Sequence, residues 1–154
     1  MTVERFLHGF LKIPYQLHIR YRRIKSPLSE TYLLIHGLAD TGELWQPLLA
    51  ELPKDANYVV IDLLGHGKSK MPKNKSYSAV EQARNVRLTY LGLGVVGPLI
   101  VIGHSFGSLV AIELAKRHKR QVKQLVLCSP PIYRDPSSGK LSKLRRESIL
   151  RDIY

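Results

Sequence analysis

From Pro98 to Ala115 the chain reads as an apolar strand, a sharp turn centred on Ser105 and a helix. No other stretch restricts the fold so tightly. A short buried strand, Leu99 to Ile102, runs directly into helix formers, and Gly103 and Gly107 flank the serine in a G-x-S-x-G pattern, which carries weight only in this strand–turn–helix setting. A serine at the apex of such a turn takes a strained backbone conformation, and small residues two positions to either side let strand and helix approach. Its Oγ then projects clear of the sheet beside a helix N-terminus, which makes Ser105 the candidate nucleophile.

The rest of the chain supplies partners for this unit. Tyr15, Leu17, Ile19 and Tyr21 alternate with polar residues, a period of two that predicts a strand with one buried face, suited to an antiparallel edge. Lys25–Glu30 is a turn by its Pro and Ser content. Tyr32–Ile35 is then a continuous apolar run expected of a central parallel strand, and it ends in His36–Gly37. With Asp40 or Thr41 as N-cap, Leu44, Trp45, Leu48, Leu49 and Leu52 have helical spacing up to Pro53. Asn57–Asp62 is another buried strand, followed by the glycine-punctuated loop Leu63–Leu–Gly–His–Gly–Lys–Ser69. A helix is predicted from Ser78 to Leu91 and a last strand from Val122 to Cys128. Strands alternating with helices at this spacing imply right-handed crossovers, hence an α/β fold with a mostly parallel sheet and helices on both faces.

Composition bounds the function. The chain has 154 residues, 44% of them hydrophobic and 23% charged, enough for one ordinary globular core or part of one. Its single cysteine, Cys128, sits in an apolar run and reads as a small buried residue. The N-terminus is a poor signal peptide and no stretch approaches a spanning helix, so a reducing cytoplasm is the default location and no membrane span is expected. Twenty-four basic against 12 acidic residues leave a net charge of +12, which suits an anionic partner such as nucleic acid or a membrane surface. The basic residues gather at 20–25, at 68–75 and from Lys116 to Arg151 without a regular stripe interleaved with aromatics. Solvated surface is the preferred reading, with no specific nucleic acid as partner.

Three features in order, strand–His36–Gly37, strand–Asp62-x-x-Gly65-His66-Gly67-x-Ser69 and strand–Gly103-His104-Ser105-Phe106-Gly107–helix, together resemble the α/β-hydrolase family over nearly the whole chain. The resemblance implies Ser105 as nucleophile and an oxyanion hole built from the backbone N–H groups of Leu38 and Phe106. His36, Gly37, Asp62, Gly65, Gly67, Gly103, His104 and Gly107 would support that site. It further implies acyl transfer to water from a small-molecule ester or acyl substrate, with no cofactor and no metal. Epoxide and haloalkane chemistry is disfavoured, because those relatives place an aspartate where Ser105 stands.

One departure matters. The family's acid and histidine follow the serine, whereas downstream of Ser105 this chain offers only Glu113, His118, Asp135, Glu147 and Asp152. His118 lies at the basic end of the helix after the elbow, His104 reads as packing, and His36 and His66 as loop-shaping residues. The expectation is therefore the N-terminal part of a hydrolase core over 1–135, with a lid starting over 136–154 and the acid and base in a missing C-terminal part. A non-catalytic scaffold or binding protein is the rival. The Val122–Cys128 strand would leave an open apolar edge, a route to self-association.

Overall fold

The computed structural model of the protein describes residues 3, 5–73 and 75–131. Asp135 and the segment 136–154 expected to begin a lid lie outside them. Five strands form one sheet: β1 (Ile19–Arg23), β2 (Thr31–Ile35), β3 (Asn57–Ile61), β4 (Leu99–His104) and β5 (Val122–Cys128), in spatial order β1-β3-β2-β4-β5. β1 runs antiparallel to β3, and the other pairs are parallel. The apolar runs at 32–35, 57–61 and 99–102 thus occupy the middle of the sheet, where both faces must be covered.

Successive residues of the central strands face opposite layers. Leu33, Ile35, Val59 and Ile61 pack with Ala83, Val86 and Tyr90 of α2 (Ala79–Gly92) and with Val110, Ala111 and Leu114 of α3 (Phe106–Arg117). Leu34, Val60, Ile100 and Ile102 pack on the other face with Trp45 and Leu52. Trp45 is core, as its place on an apolar stripe implies.

Three local expectations change. The alternating stretch becomes strand only from Ile19. Tyr15 and Leu17 are buried, yet their N–H groups donate to Asn85 Oδ1 at 2.9 Å and Thr89 Oγ1 at 2.8 Å, so polar side chains of α2 replace a neighbouring strand. The helix expected to run to Pro53 is a 3₁₀ turn, Gly42–Trp45, capped by Thr41, followed by the single turn α1 (Gln46–Leu49). Beyond it bonds to the third residue back take over, Glu51 N–H to the Leu48 carbonyl at 3.0 Å. Cys128 is half-buried instead of buried, because β5 is the outermost strand among the described residues and pairs there only with β4.

Candidate active site

Ser105 connects β4 directly to α3 with φ 49° and ψ −117°, a conformation that costs a side-chain-bearing residue on the order of 1–3 kcal/mol. The turn survives because its surroundings over-determine it. Ser105 N–H donates to the Cys128 carbonyl at 2.9 Å, its own carbonyl accepts from Ser108 N–H at 3.0 Å, and Ser108 Oγ donates to the Gly103 carbonyl at 2.8 Å. The end of β5 therefore holds the turn from one side.

The loop after β2 holds it from the other. A Cβ on Gly107 would stand 2.4 Å from the Ile35 carbonyl oxygen and 2.5 Å from that of His36, so only hydrogen lets α3 start this close to β2. A Cβ on Gly103 would meet the Gly107 carbonyl oxygen at 2.5 Å, and one on Gly37 would lie 3.1 Å from Ser105 Cβ and 3.2 Å from His104 Nδ1. The glycines on either side of Ser105 are needed for close approach, as the motif implies, and Gly37 brings the 36–42 loop against the serine. Leu38 follows in that loop and Phe106 opens α3. Both are partly exposed, and among the described residues neither backbone N–H has an acceptor.

That loop is tied to the one after β3 by two buried groups. His36 Nε2 accepts from Leu63 N–H at 2.9 Å while Nδ1 donates to the Gly37 carbonyl at 2.7 Å, which fixes a neutral tautomer with both nitrogens engaged. Burial holds this imidazole below its ordinary value against the Gly37 carbonyl, which favours the charged form. Asp62, fully buried, accepts from Gly42 N–H at 2.9 Å, Lys68 N–H at 3.0 Å and Arg20 Nη2 at 2.7 Å. Burial alone would raise its carboxyl; the Arg20 guanidinium and the two amides outweigh that and keep it below the usual range.

Gly67, at φ 53°, would press a Cβ to 2.3 Å from Asp62 Oδ2, so this turn requires glycine for both its backbone and its space. Gly65 N–H closes the same loop onto the Lys70 carbonyl at 2.8 Å. His66 sits beside His36 with ring centroids 5.3 Å apart and engages the Leu64 carbonyl. Both histidines shape loops. Two residues with no motif also act here: Arg20 on β1, and Gln82 on α2, which accepts from Leu64 N–H at 3.0 Å and donates to the Leu64 carbonyl at 2.9 Å. In the sequence Gln82 shows only as a polar residue on the core-facing side of a helix, and Arg20 falls among the polar residues of the alternation, on the face expected to be solvated.

Among the described residues no side chain hydrogen-bonds Ser105 Oγ. His118 caps the far end of α3 and lines a cavity of about 400 Å³ against α2, remote from the elbow. No group of three His, Cys, Asp or Glu that could hold a metal occurs among the described residues, and no helix there is long and apolar enough to cross a membrane.

The comparisons with known proteins agree with this architecture. "Lipase LipV" of Mycobacterium tuberculosis is 38% identical over 105 residues, covering 68% of this chain and 39% of that protein. "Probable lysophospholipase BODYGUARD 4" of Arabidopsis thaliana is 31% identical over 120 residues, covering 77% and 28%. Among solved structures, a marine microorganism esterase superposes with TM-score 0.70 at 23% identity over 86% of this chain and 49% of its own, and an epoxide hydrolase from Bacillus megaterium with TM-score 0.67 at 25% over 83% and 45%. The chain thus spans less than half the length of these relatives. The family model for the alpha/beta hydrolase fold matches residues 32–149, which takes in both loops and the elbow that follows them, and the chain belongs to that family.

Proposed function

We propose that this chain carries the nucleophile half of a serine acyl hydrolase. The observation that supports it best is Ser105 itself, held at φ 49° between β4 and α3 with Gly37 packed against it. In this reading Ser105 Oγ attacks the carbonyl carbon of an ester, and its proton passes to a base as the tetrahedral oxyanion forms. The Leu38 and Phe106 N–H groups donate to that oxygen. Collapse expels the alcohol, which takes the proton back, and water then releases the acid and frees the serine. The base and the acid that orients it come from polypeptide outside the described residues, and residues 136–154 begin a lid. His36 is unsuited to the role, with both nitrogens bonded and its charged form disfavoured. The names of the relatives, a lipase, a lysophospholipase and an esterase, are in keeping with a lipid or carboxylic ester as substrate.

The absence of a partner on Ser105 Oγ among the described residues favours a second reading, a scaffold that binds an acyl group without turning it over. A fluorophosphonate probe separates the two. Labelling of the wild-type chain that disappears in Ser105→Ala supports an activated nucleophile. No labelling, or equal labelling of both, supports the scaffold.

A further inference from the structure

The large apolar side chains that the fold leaves in solvent are not spread evenly. Ten are exposed among the described residues, and five of them, Val3, Phe6, Phe10, Leu11 and Ile13, lie before β1 begins. Phe10 is 73% exposed and Phe6 stacks against it with ring centroids 5.8 Å apart, so the two rings form one projecting surface. The backbone beneath them is ordered as a π-helical turn, Arg5–Phe10, closed by Leu11 N–H to the Phe6 carbonyl and Ile13 N–H to the Leu7 carbonyl, each at 3.0 Å. It is fastened to the body of the protein: the His8 ring stacks on Tyr15 at 3.7 Å, and Lys75 Nζ donates to the His8 carbonyl at 3.0 Å. The aromatic surface is thus held out by an anchored turn.

Charge decides what such a surface can meet. The sequence holds no acidic residue from Arg5 through Ser29, and none from Leu63 through Lys75, the loop that Lys75 brings alongside. Lys12, Lys68 and Lys73 are exposed, and Met71 in the same loop is 62% exposed. Glu81 is the acid at this edge, and Lys75 pairs with it at 3.4 Å, which leaves Lys12, Lys68 and Lys73 as exposed charges. An apolar centre with a predominantly basic fringe suits a surface that is apolar within and anionic at its edge. A second copy of this chain would set like charges together, at +12 apiece. The position is also informative. Because β1 is antiparallel to β3, with Ile19 opposite Ile61, the chain before β1 enters at the carboxyl end of the parallel strands, the end that carries Ser105 and the 36–42 loop.

We propose that the turn around Phe6 and Phe10, with Leu11 and the lysine fringe, seats this protein on the surface of a bilayer that contains anionic lipid. The rings lie in the interfacial region and the rim bearing Ser105 faces the same way. The contact is peripheral, requires no spanning segment, and stands whether or not Ser105 is a catalyst.

Sedimentation of the full chain with vesicles tests it, using phosphatidylcholine alone and phosphatidylcholine mixed with phosphatidylserine. The expected result is partition onto the mixed vesicles that weakens with added salt and is much lower on the neutral ones. Phe6→Ser with Phe10→Ser lowers partition on the order of tenfold or more. Lys12→Gln with Lys73→Gln lowers it about thirtyfold on mixed vesicles only. All these side chains are exposed, and circular dichroism confirms that each variant keeps the wild-type fold. Wild-type chain left in the supernatant with both vesicle types overturns the proposal, without recourse to any variant. Binding indifferent to the phenylalanine substitutions overturns it too. So does concentration-dependent dimerisation that the phenylalanine pair abolishes while vesicles bind nothing, since the face would then belong to a second copy.

Discussion

Replacing Asp62 by Asn changes one oxygen for an NH₂ group in a side chain that has no exposure and holds three parts of the chain together. Its oxygens take up Gly42 N–H from the loop beside Ser105, Lys68 N–H from its own loop, and the Arg20 guanidinium from β1, the last at 2.7 Å and 3.3 Å. Removing one partner of a buried ion pair costs roughly 3–5 kcal/mol, because the other charge is left without compensation. Arg20 also reaches Glu43 at 3.1 Å, and its side chain is 13% exposed, so the lower end applies, about 3 kcal/mol. Asn additionally turns a donor toward one of the two amides, so the loss does not fall below that figure. For a chain of this size the expected fall in Tm is roughly 6–12 °C.

The acid limb of stability carries the second signature. The Asp62 carboxyl is held below its ordinary value of 3.8 in the folded protein, so on acidification the unfolded chain takes up this proton first. Its contribution is present in full above about pH 4 and disappears as pH falls through the folded value. Urea titrations of wild type and Asp62→Asn between neutral pH and pH 3 should therefore converge toward low pH. A loss under about 1 kcal/mol at neutral pH, or two acid limbs that run parallel, would refute the assignment of this carboxylate as the charged hub of the loops.

Gly107→Ala places a methyl group 2.4 Å from the Ile35 carbonyl oxygen, and the resulting separation of α3 from β2 should cost about 1–3 kcal/mol in thermal denaturation; a neutral substitution would show that the elbow does not depend on this approach. His36 is held neutral by burial, so stability is complete above its ordinary 6.5 and declines as pH falls below it. His36→Gln should remove that part of the decline, whereas an unchanged slope would assign it to His118, whose burial beside Arg87 and Arg117 acts in the same direction. Gln82→Leu leaves Leu64 N–H without a partner in the core, while the Leu64 carbonyl keeps His66 Nδ1 at 3.1 Å, a loss of about 1–3 kcal/mol. Hydrogen exchange at the Leu64 amide should accelerate accordingly, and unchanged protection would mean that the loop holds itself.

The elements that could be read in advance are those whose cause is local. β5 spans Val122–Cys128 as predicted, and α2 starts after its N-cap Ser78, whose Oγ accepts from Glu81 N–H at 3.3 Å. Continuous apolar runs bounded by turn residues needed no knowledge of neighbours to be placed as central strands. The alternation from Tyr15 to Tyr21 misled over its first half, since a buried aromatic with a bonded amide looks alike whether its partner is a strand or the side chain of Asn85. The leucines after Thr41 kept helical spacing without a continuous helix, because periodicity reports which face is buried and does not distinguish a 3₁₀ turn from an α-turn.

The sequence by itself determined the α/β architecture, the strand–turn–helix at Ser105 and the glycines flanking it. Each of these depends on contacts between residues close in the chain, or on an apolar pattern that any parallel sheet would bury. Only the tertiary structure decided that Asp62 gathers Arg20, Gly42 and Lys68, that His36 and Gln82 fasten the loop after β3, that Gly37 touches Ser105, and that the aromatic turn around Phe10 stands exposed beside a lysine-rich loop. Apart from Asp62 with Lys68, six positions on, those contacts join residues 18 or more positions apart, and their partners become identifiable only once the crossovers of a parallel sheet have brought the loops to one edge.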